Sequence, residues 1–329
     1  MSAKKSKHPP RDKTAKSQSH TGGKAAKQAA KPAKKSAATN RPPIGLISSA
    51  ASARLLQDRR EVQVATPWGP ASILTGRIGG REAAVVLRYG PKLTIPSHKI
   101  NYRANIWALH ELGVQRVISQ NAIGSINPLL RPGDIVISHD FLDRTKNRPL
   151  SLFDDTEAWV RVDMTEPFCP EVRRALLEAT ADMPDRVIDR GVFACVEGPR
   201  FETPAEIRAL HRDGADIVGT PLVPEVTMAR EAELCFASIA PVINYGAGMA
   251  PAVIHVGPGS MNDQYYANGL HDRIEEALIE AVNRLPDQRG CQCGLALRGG
   301  FHGVRPGWLR NCSIDHQVES TLPAALADD

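Results

Sequence analysis

The sequence predicts one α/β domain built on a mostly parallel sheet, and three observations predict it. Short apolar runs alternate with stretches of helical spacing from Ile44 to Leu285. Glycine and proline turns, Gly79-Gly80 and Pro132-Gly133 among them, separate the runs. Hydrophobic residues make up 42% of the 329, enough for a sizeable core.

Taken in order, residues 44–47 read as a short buried strand, followed by a small-residue turn from Ser48 to Ser52. Residues 71–78 and 83–87 read as strands. Residues 101–112 have helical spacing through Ile106, Leu109 and Leu112, and 117–119 is a buried strand behind them. Residues 134–138 make another strand. An amphipathic helix at 171–181, a strand at 192–196 and a helix at 204–211 follow. The pattern closes with a short strand at 217–218, a helix at 226–232, a strand at 235–243 and a last helix from about 268 to 285. In sheets of this kind ligands sit beyond the C-terminal strand ends, so the residues just past each strand are the candidate site.

Both termini read differently. Residues 1–43 hold ten Lys, two Arg and one acid, a net +11, so the remainder carries −6 of the total +5. With no Phe, Trp or Tyr, this tail cannot bury enough apolar surface to offset the entropy of ordering, and it is expected to be disordered. It is either a counterion-releasing arm for a polyanion or a solubilising extension. Residues 286–329 lose periodicity and are expected to be an irregular extension. Within it Cys291 and Cys293, with His302, Cys312 and His316, are of metal-ligand type, but a C-x-C with no matching second pair falls short of a zinc ribbon. No metal is expected. Six cysteines without the density of a secreted scaffold point to a reducing, cytoplasmic setting. No apolar run is long enough to span a membrane.

Eight strings carry more than pattern. They are Ile100-Asn101-Tyr102-Arg103-Ala104-Asn105, Asn121-Ala122-Ile123-Gly124-Ser125, Arg131-Pro132-Gly133-Asp134, and Phe141-Leu142-Asp143-Arg144-Thr145. Glu166-Pro167-Phe168-Cys169-Pro170, Glu197-Gly198-Pro199-Arg200-Phe201-Glu202-Thr203-Pro204, Val223-Pro224-Glu225-Val226 and Ala229-Arg230-Glu231-Ala232 complete them. Together, and in this order, they resemble the purine nucleoside phosphorylase and methylthioadenosine phosphorylase family from about residue 44 to 285. The resemblance implies a single-domain, three-layer phosphorylase/hydrolase-like fold with a mixed, mostly parallel central sheet. It implies a homotrimer or dimer of trimers, and phosphorolysis of a purine nucleoside with inorganic phosphate as co-substrate and no metal or organic cofactor. The transition state would put positive charge on the sugar and negative charge on the purine, so an anion and purine-side donors are required.

Three positions define the expected purine pocket. Phe201 offers a flat face for stacking. Glu202 stands where 6-oxopurine members of the family carry Glu; a carboxylate only accepts, which suits the N1–H of hypoxanthine or guanine. Asn244 follows the strand 235–243, and Gly246 stands where methylthioadenosine phosphorylases carry a second Asp. Asn donates to O6 and accepts from N7–H, whereas Asp only accepts. Glu202 and Asn244 are the expected catalytic pair, with Phe201, Thr220, Gly246 and His255 lining the nucleoside. The local alternatives are a helix N-terminal acid for Glu202, a turn-forming Asn for Asn244 and a loop histidine for His255.

The expected phosphate pocket departs from the family. Its first loop reads Ser48-Ser49-Ala50, with Ala50 at the hydroxyl position. Arg88-Tyr89 replaces Arg-His, and Asn121-Ala122 replaces Thr-Ala. Thr220-Pro221 replaces a Met-Thr or Met-Ser pair, and Pro221 has neither hydroxyl nor N–H. Arg88 is the one intact anion-binding side chain, expected to grip phosphate bidentately. Three readings stay open on the sequence: a 6-oxopurine nucleoside phosphorylase, a phosphate-independent nucleosidase, and a non-catalytic purine-binding member.

Overall fold

One long strand organises the chain. In the computed structural model, which describes residues 43–49, 51–52, 54–250 and 263–316, the elements run β1 (Ile44–Ser48), β2 (Gln57–Val64), β3 (Ala71–Ile78), β4 (Arg81–Leu87) and α1 (Tyr102–Glu111). They continue with β5 (Arg116–Gln120), β6 (Ile123–Ser125), β7 (Ile135–Ile137), β8 (Asp140–Arg144), β9 (Ala158–Val160), α2 (Pro170–Thr180), β10 (Val187–Ile188) and β11 (Val192–Val196). Then come α3 (Pro204–Arg212), β12 (Ile217–Gly219), α4 (Leu222–Glu231), β13 (Cys235–Tyr245), α5 (Leu270–Arg284) and β14 (Phe301–Gly303). The basic tail, Ala50 and His255 lie outside the described residues.

Twelve strands form one sheet in the order β2-β3-β4-β1-β5-β13-β6-β12-β11-β8, with β7 against β13 and β10 against β7. β13 is buried through its first nine residues, all apolar but Ser238, as a central strand covered on both faces must be. Its first half pairs parallel with β5, ending at Ile239–Gln120, and its second half pairs parallel with β6 from Val242–Ile123. Pro241 falls at that change of partner, where a missing N–H costs least.

Side-chain alternation splits the core into layers. On β1, Ile47 packs with α1, α4 and Trp107 on one face, while Ile44 and Leu46 pack with α2 and α5 on the other. α3 covers a smaller cluster, Ile207 and Leu210 against Ile126, Ala194 and Val218. The expected three-layer architecture is present, with a mixed and mostly parallel sheet.

Helix starts follow local chemistry. The Asn101 side chain accepts from Ala104 N at 3.2 Å to open α1. Thr203 and Glu206 form a reciprocal capping box with Pro204 in the first turn of α3.

The segment after α5 was expected as an irregular extension. It is irregular in secondary structure but, through residue 316, folded onto the core. β14 pairs with β9, and Trp308 packs at 4.8–5.3 Å centroid distance against Trp68, Trp107 and Phe153. Buried Glu233 accepts from Leu297 N at 3.1 Å and Ser313 N at 2.6 Å. The reason it escaped the periodicity is that isolated anchors, not a repeating face, hold it.

Candidate active site

The parallel strands β4, β1 and β5 end at or just before Arg88, Ser48 and Asn121. β11 and β12, which run opposite to β6 and so to the second half of β13, end at or just before Val196 and Thr220, and Asn244 lies near the end of β13. These strand ends are where the sequence placed its candidates.

On the phosphate side Arg88 already has protein partners. Arg88 is buried, and its Nε and Nη2 meet Glu225 Oε1 and Oε2 at 2.7 and 2.8 Å. Nη2 also donates to Ser119 Oγ at 2.9 Å, and Nη1 to the Gln120 carbonyl at 3.1 Å. A guanidinium has five N–H groups, and these bonds take four of them. The expected bidentate grip on phosphate is therefore already spent on Glu225. Burial alone would lower the Arg88 pKa, but the Glu225 charge lifts it above its ordinary value. Tyr89 lies beside this centre, with the Arg88 guanidinium carbon 6.0 Å from its ring centroid.

Asn121 likewise turns inward. Its amide donates to Ser238 Oγ at 2.9 Å and Ser119 Oγ at 3.1 Å, so the side chain serves the sheet. Ala122, next to it, is exposed. Ser48 Oγ donates to Gln120 Oε1 at 2.8 Å. Ser49 instead lines a cavity of about 750 Å³ whose walls include Arg59, Glu61, Arg88 and Lys99. Pro221 is buried at the start of α4.

On the purine side Phe201 is 40% exposed, so its ring is not a core residue. Glu202 lines a second cavity, of about 400 Å³, with Arg144, Lys146, Glu197 and Arg200. Burial raises the Glu202 carboxyl above its usual range. Asn244 is not among the walls of that cavity. It lies within β13, which runs two residues further than expected, and its Nδ2 gives one N–H to the Tyr245 carbonyl at 2.8 Å. A β-bulge between Val242 and Asn244 sets its direction. Gly246 has little room: a Cβ there would lie 3.0 Å from Ile207 Cδ1 and 3.1 Å from the Ser125 carbonyl oxygen.

Two residues that the sequence reading did not single out hold these strand ends in place. Glu225 is the counterion of Arg88; its signal was an acid between apolar neighbours in the string Val223-Pro224-Glu225-Val226. Arg148 bridges two segments, the end of β11 and the start of α4, donating to Val196 O at 3.1 Å, Glu197 O at 2.8 Å and Thr220 O at 2.5 Å, and it also reaches Val223 O. Its Nε pairs with Glu197 Oε1 at 3.1 Å, and its guanidinium lies 5.0 Å from the Tyr102 ring centroid. No local pattern marks Arg148, because all its partners are remote in sequence.

The chain matches the phosphorylase superfamily over residues 44–267. It is 43% identical over 252 residues to a Thermococcus kodakarensis protein named probable 6-oxopurine nucleoside phosphorylase, covering 74% of this chain and 92% of that one. To a Methanopyrus kandleri protein named probable S-methyl-5′-thioinosine phosphorylase it is 40% identical over 259 residues, covering 78% and 98%. Among solved structures, a methylthioadenosine phosphorylase from an Antarctic soil metagenomic library matches with a TM-score of 0.72 at 30% identity, over 80% of this chain and 93% of that chain. With those relatives and these strand ends, the chain belongs to the phosphorylase superfamily, within its purine nucleoside and methylthioadenosine phosphorylase family.

Proposed function

We propose that the protein cleaves 6-oxopurine nucleosides of the inosine and guanosine type, 5′-methylthioinosine included, with inorganic phosphate, releasing free purine and a pentose 1-phosphate. The observation that carries the base assignment is the end of β13: Asn244 offers both a donor and an acceptor, and the crowding at Gly246 disfavours the second acid that a 6-aminopurine site would use. Glu202 accepts from the purine N1–H, Phe201 stacks on the base, and Thr220 lies alongside. As the glycosidic bond breaks, its electron pair passes to the purine, and the Asn244 amide stabilises the charge that develops there.

Phosphate enters from the other side of the sugar. Arg88 has one N–H left, so Ser49, Arg59 and Lys99 around the larger cavity supply the remaining donors in this reading. The same Arg88–Glu225 pairing favours a second reading, in which water is the nucleophile, because a neutralised guanidinium attracts an anion weakly. No metal or organic cofactor enters either chemistry.

The test is purine release from inosine, guanosine, 5′-methylthioinosine and adenosine, with and without phosphate. Phosphate-dependent release with pentose 1-phosphate formed supports the first reading; release without phosphate supports the second. Faster release from adenosine overturns the base assignment. Purine binding without release leaves a binding protein on an enzyme's fold.

Three further parts of the proposal concern assembly, setting and the basic tail. A homotrimer or dimer of trimers is supported by the family resemblance, and light scattering of the purified chain measures it. A cytoplasmic setting is supported by six free cysteines. Among the described residues no helix is long and apolar enough to cross a membrane. Contact of residues 1–43 with polyanions is checked by salt-dependent binding of the full chain against one lacking them.

A further inference from the structure

Four of the six cysteines meet at one point, far from the strand ends that carry the candidate site. Cys169 is the residue before α2, Cys235 opens β13, and Cys291 and Cys293 come from the segment after α5. Their four sulfurs all lie within 4.8 Å of one another, with Cys235 and Cys291 Sγ 3.3 Å apart. The C-x-C that lacked a second pair in the sequence therefore finds it in Cys169 and Cys235, not in His302, Cys312 or His316. None of the four is in a disulfide.

That geometry fits a tetrahedral ion. Zinc holds thiolates at about 2.3 Å, which sets sulfurs about 3.8 Å apart. That spacing falls between the 3.3 Å of Cys235 and Cys291 and the 4.8 Å within which all four sulfurs lie, and 3.3 Å is well beyond the roughly 2.05 Å of a sulfur–sulfur bond. Three of the four cysteines are buried and Cys291 is partly so, and four protein sulfurs leave no coordination position open, as structural sites require.

The charge around the cluster is the independent observation. Arg116 is 1% exposed, and its Nε, Nη1 and Nη2 make no hydrogen bond. Its recorded ion-pair partner is Glu171, at 3.6 Å, two residues after Cys169. Arg116 is the residue directly beside Cys235 in the β5–β13 register, so both side chains leave the same face of the sheet. Arg230 Nη1 lies 3.5 Å from Cys293 Sγ. A zinc tetrathiolate carries about two net negative charges; Arg230 reaches one of its sulfurs, and Arg116, paired with Glu171, stands next to Cys235 on the neighbouring strand.

We propose that Cys169, Cys235, Cys291 and Cys293 bind one zinc ion that clamps the segment after α5 to the start of β13 and to α2. Binding displaces the four thiol protons to solvent, with no change in oxidation state. The clamp works alongside Gly290 N, which donates to Glu171 Oε1 at 2.6 Å, and Arg289 Nη1, which donates to the Glu233 carbonyl at 2.7 Å. Cys235 and Asn244 are nine residues apart on one strand, about 30 Å. The ion is thus structural and takes no part in nucleoside chemistry.

The experiment is metal analysis of the full chain, purified with a phosphine reductant and no chelator. About one zinc per chain is expected, released when a mercurial titrates the thiols, with the segment after α5 becoming sensitive to protease on release. Cobalt substitution should give the intense sulfur-to-metal absorption of a tetrathiolate site, a readout that needs no variant to fold. Cys291→Ser with Cys293→Ser should abolish zinc, whereas Cys195→Ser and Cys312→Ser should keep it. The proposal is overturned by a reduced protein that takes up no zinc or cobalt, by zinc lost in Cys312→Ser alone, or by disulfides among these four cysteines in the freshly isolated chain.

Discussion

Arg88 and Glu225 form a closed fork, Nε to Oε1 at 2.7 Å and Nη2 to Oε2 at 2.8 Å, with side chains 1% and 3% exposed. The pair ties the end of β4 to α4 across 137 residues and places a neutralised cation where the sequence pointed to a free one. It links the stability of the fold to the anion side of the site.

Breaking that fork from one side should be costly. Glu225→Gln is expected to lower the unfolding free energy by about 3–5 kcal/mol, because it leaves a buried guanidinium unpaired. Replacing both partners, Arg88→Met with Glu225→Leu, should cost much less. Urea unfolding of Arg88→Met, Glu225→Leu and the variant carrying both measures the coupling. Equal losses in single and double variants would show that the pair is not the structural link described above.

The base preference should turn on Asn244. Asn244→Asp removes a donor and is expected to cut kcat/KM for guanosine relative to adenosine by roughly tenfold or more, the worth of one hydrogen bond to a developing charge. Retention of the wild-type preference would show that the amide is a turn-forming group, bound to Tyr245 O and nothing else.

Glu202 sets an acid limit on activity. Its carboxyl is raised by burial, so it takes up a proton at a higher pH than an ordinary glutamate and then no longer accepts from N1–H. Activity on inosine should fall as pH drops through that raised pKa, and Glu202→Gln, which keeps an acceptor without titrating, should flatten the limb. Glu202→Ala should lower kcat/KM by about 10–150-fold, the equivalent of 1.5–3 kcal/mol. The pH–rate profiles of the three proteins decide this.

Glu231 should make stability fall with rising pH. It is buried at the end of α4 and its carboxyl is pushed up to about 7 by burial, against the Leu152 N–H bond at 2.7 Å that favours ionisation. Between its ordinary range and about pH 7 the folded chain holds a proton that the unfolded chain has released. Raising pH through that window therefore favours unfolding, by on the order of 3 kcal/mol in all. Glu231→Gln should remove this contribution, as seen by comparing urea midpoints of the two proteins from pH 5 to pH 8.

Much of the fold was legible because burial leaves a periodic mark. The strand at 192–196 coincides with β11, and the helices expected at 101–112, 171–181 and 204–211 lie within a residue or so of α1, α2 and α3. β2 escaped because it is an exposed, charged edge strand held by pairing with β3, with almost no apolar face to read. β6, β9 and β14 escaped because three residues carry too little pattern. The helix expected at 226–232 starts earlier, at Leu222, through the non-helical Val223 and Pro224.

What the sequence determined by itself is what neighbouring residues decide: alternating strands and helices, their caps, and an ordered series of motifs that marks the family. Which partner each charged or reactive group takes was decided only by tertiary structure. Arg88 meets Glu225, Arg148 meets the carbonyls of two separate segments, and Cys291 and Cys293 meet Cys169 and Cys235. Local pattern records whether a side chain is buried, because burial repeats with the turn of a helix or the pleat of a strand. It does not record what lies across the interior, because a pair 137 residues apart is joined by topology, and no spacing in the chain encodes that distance.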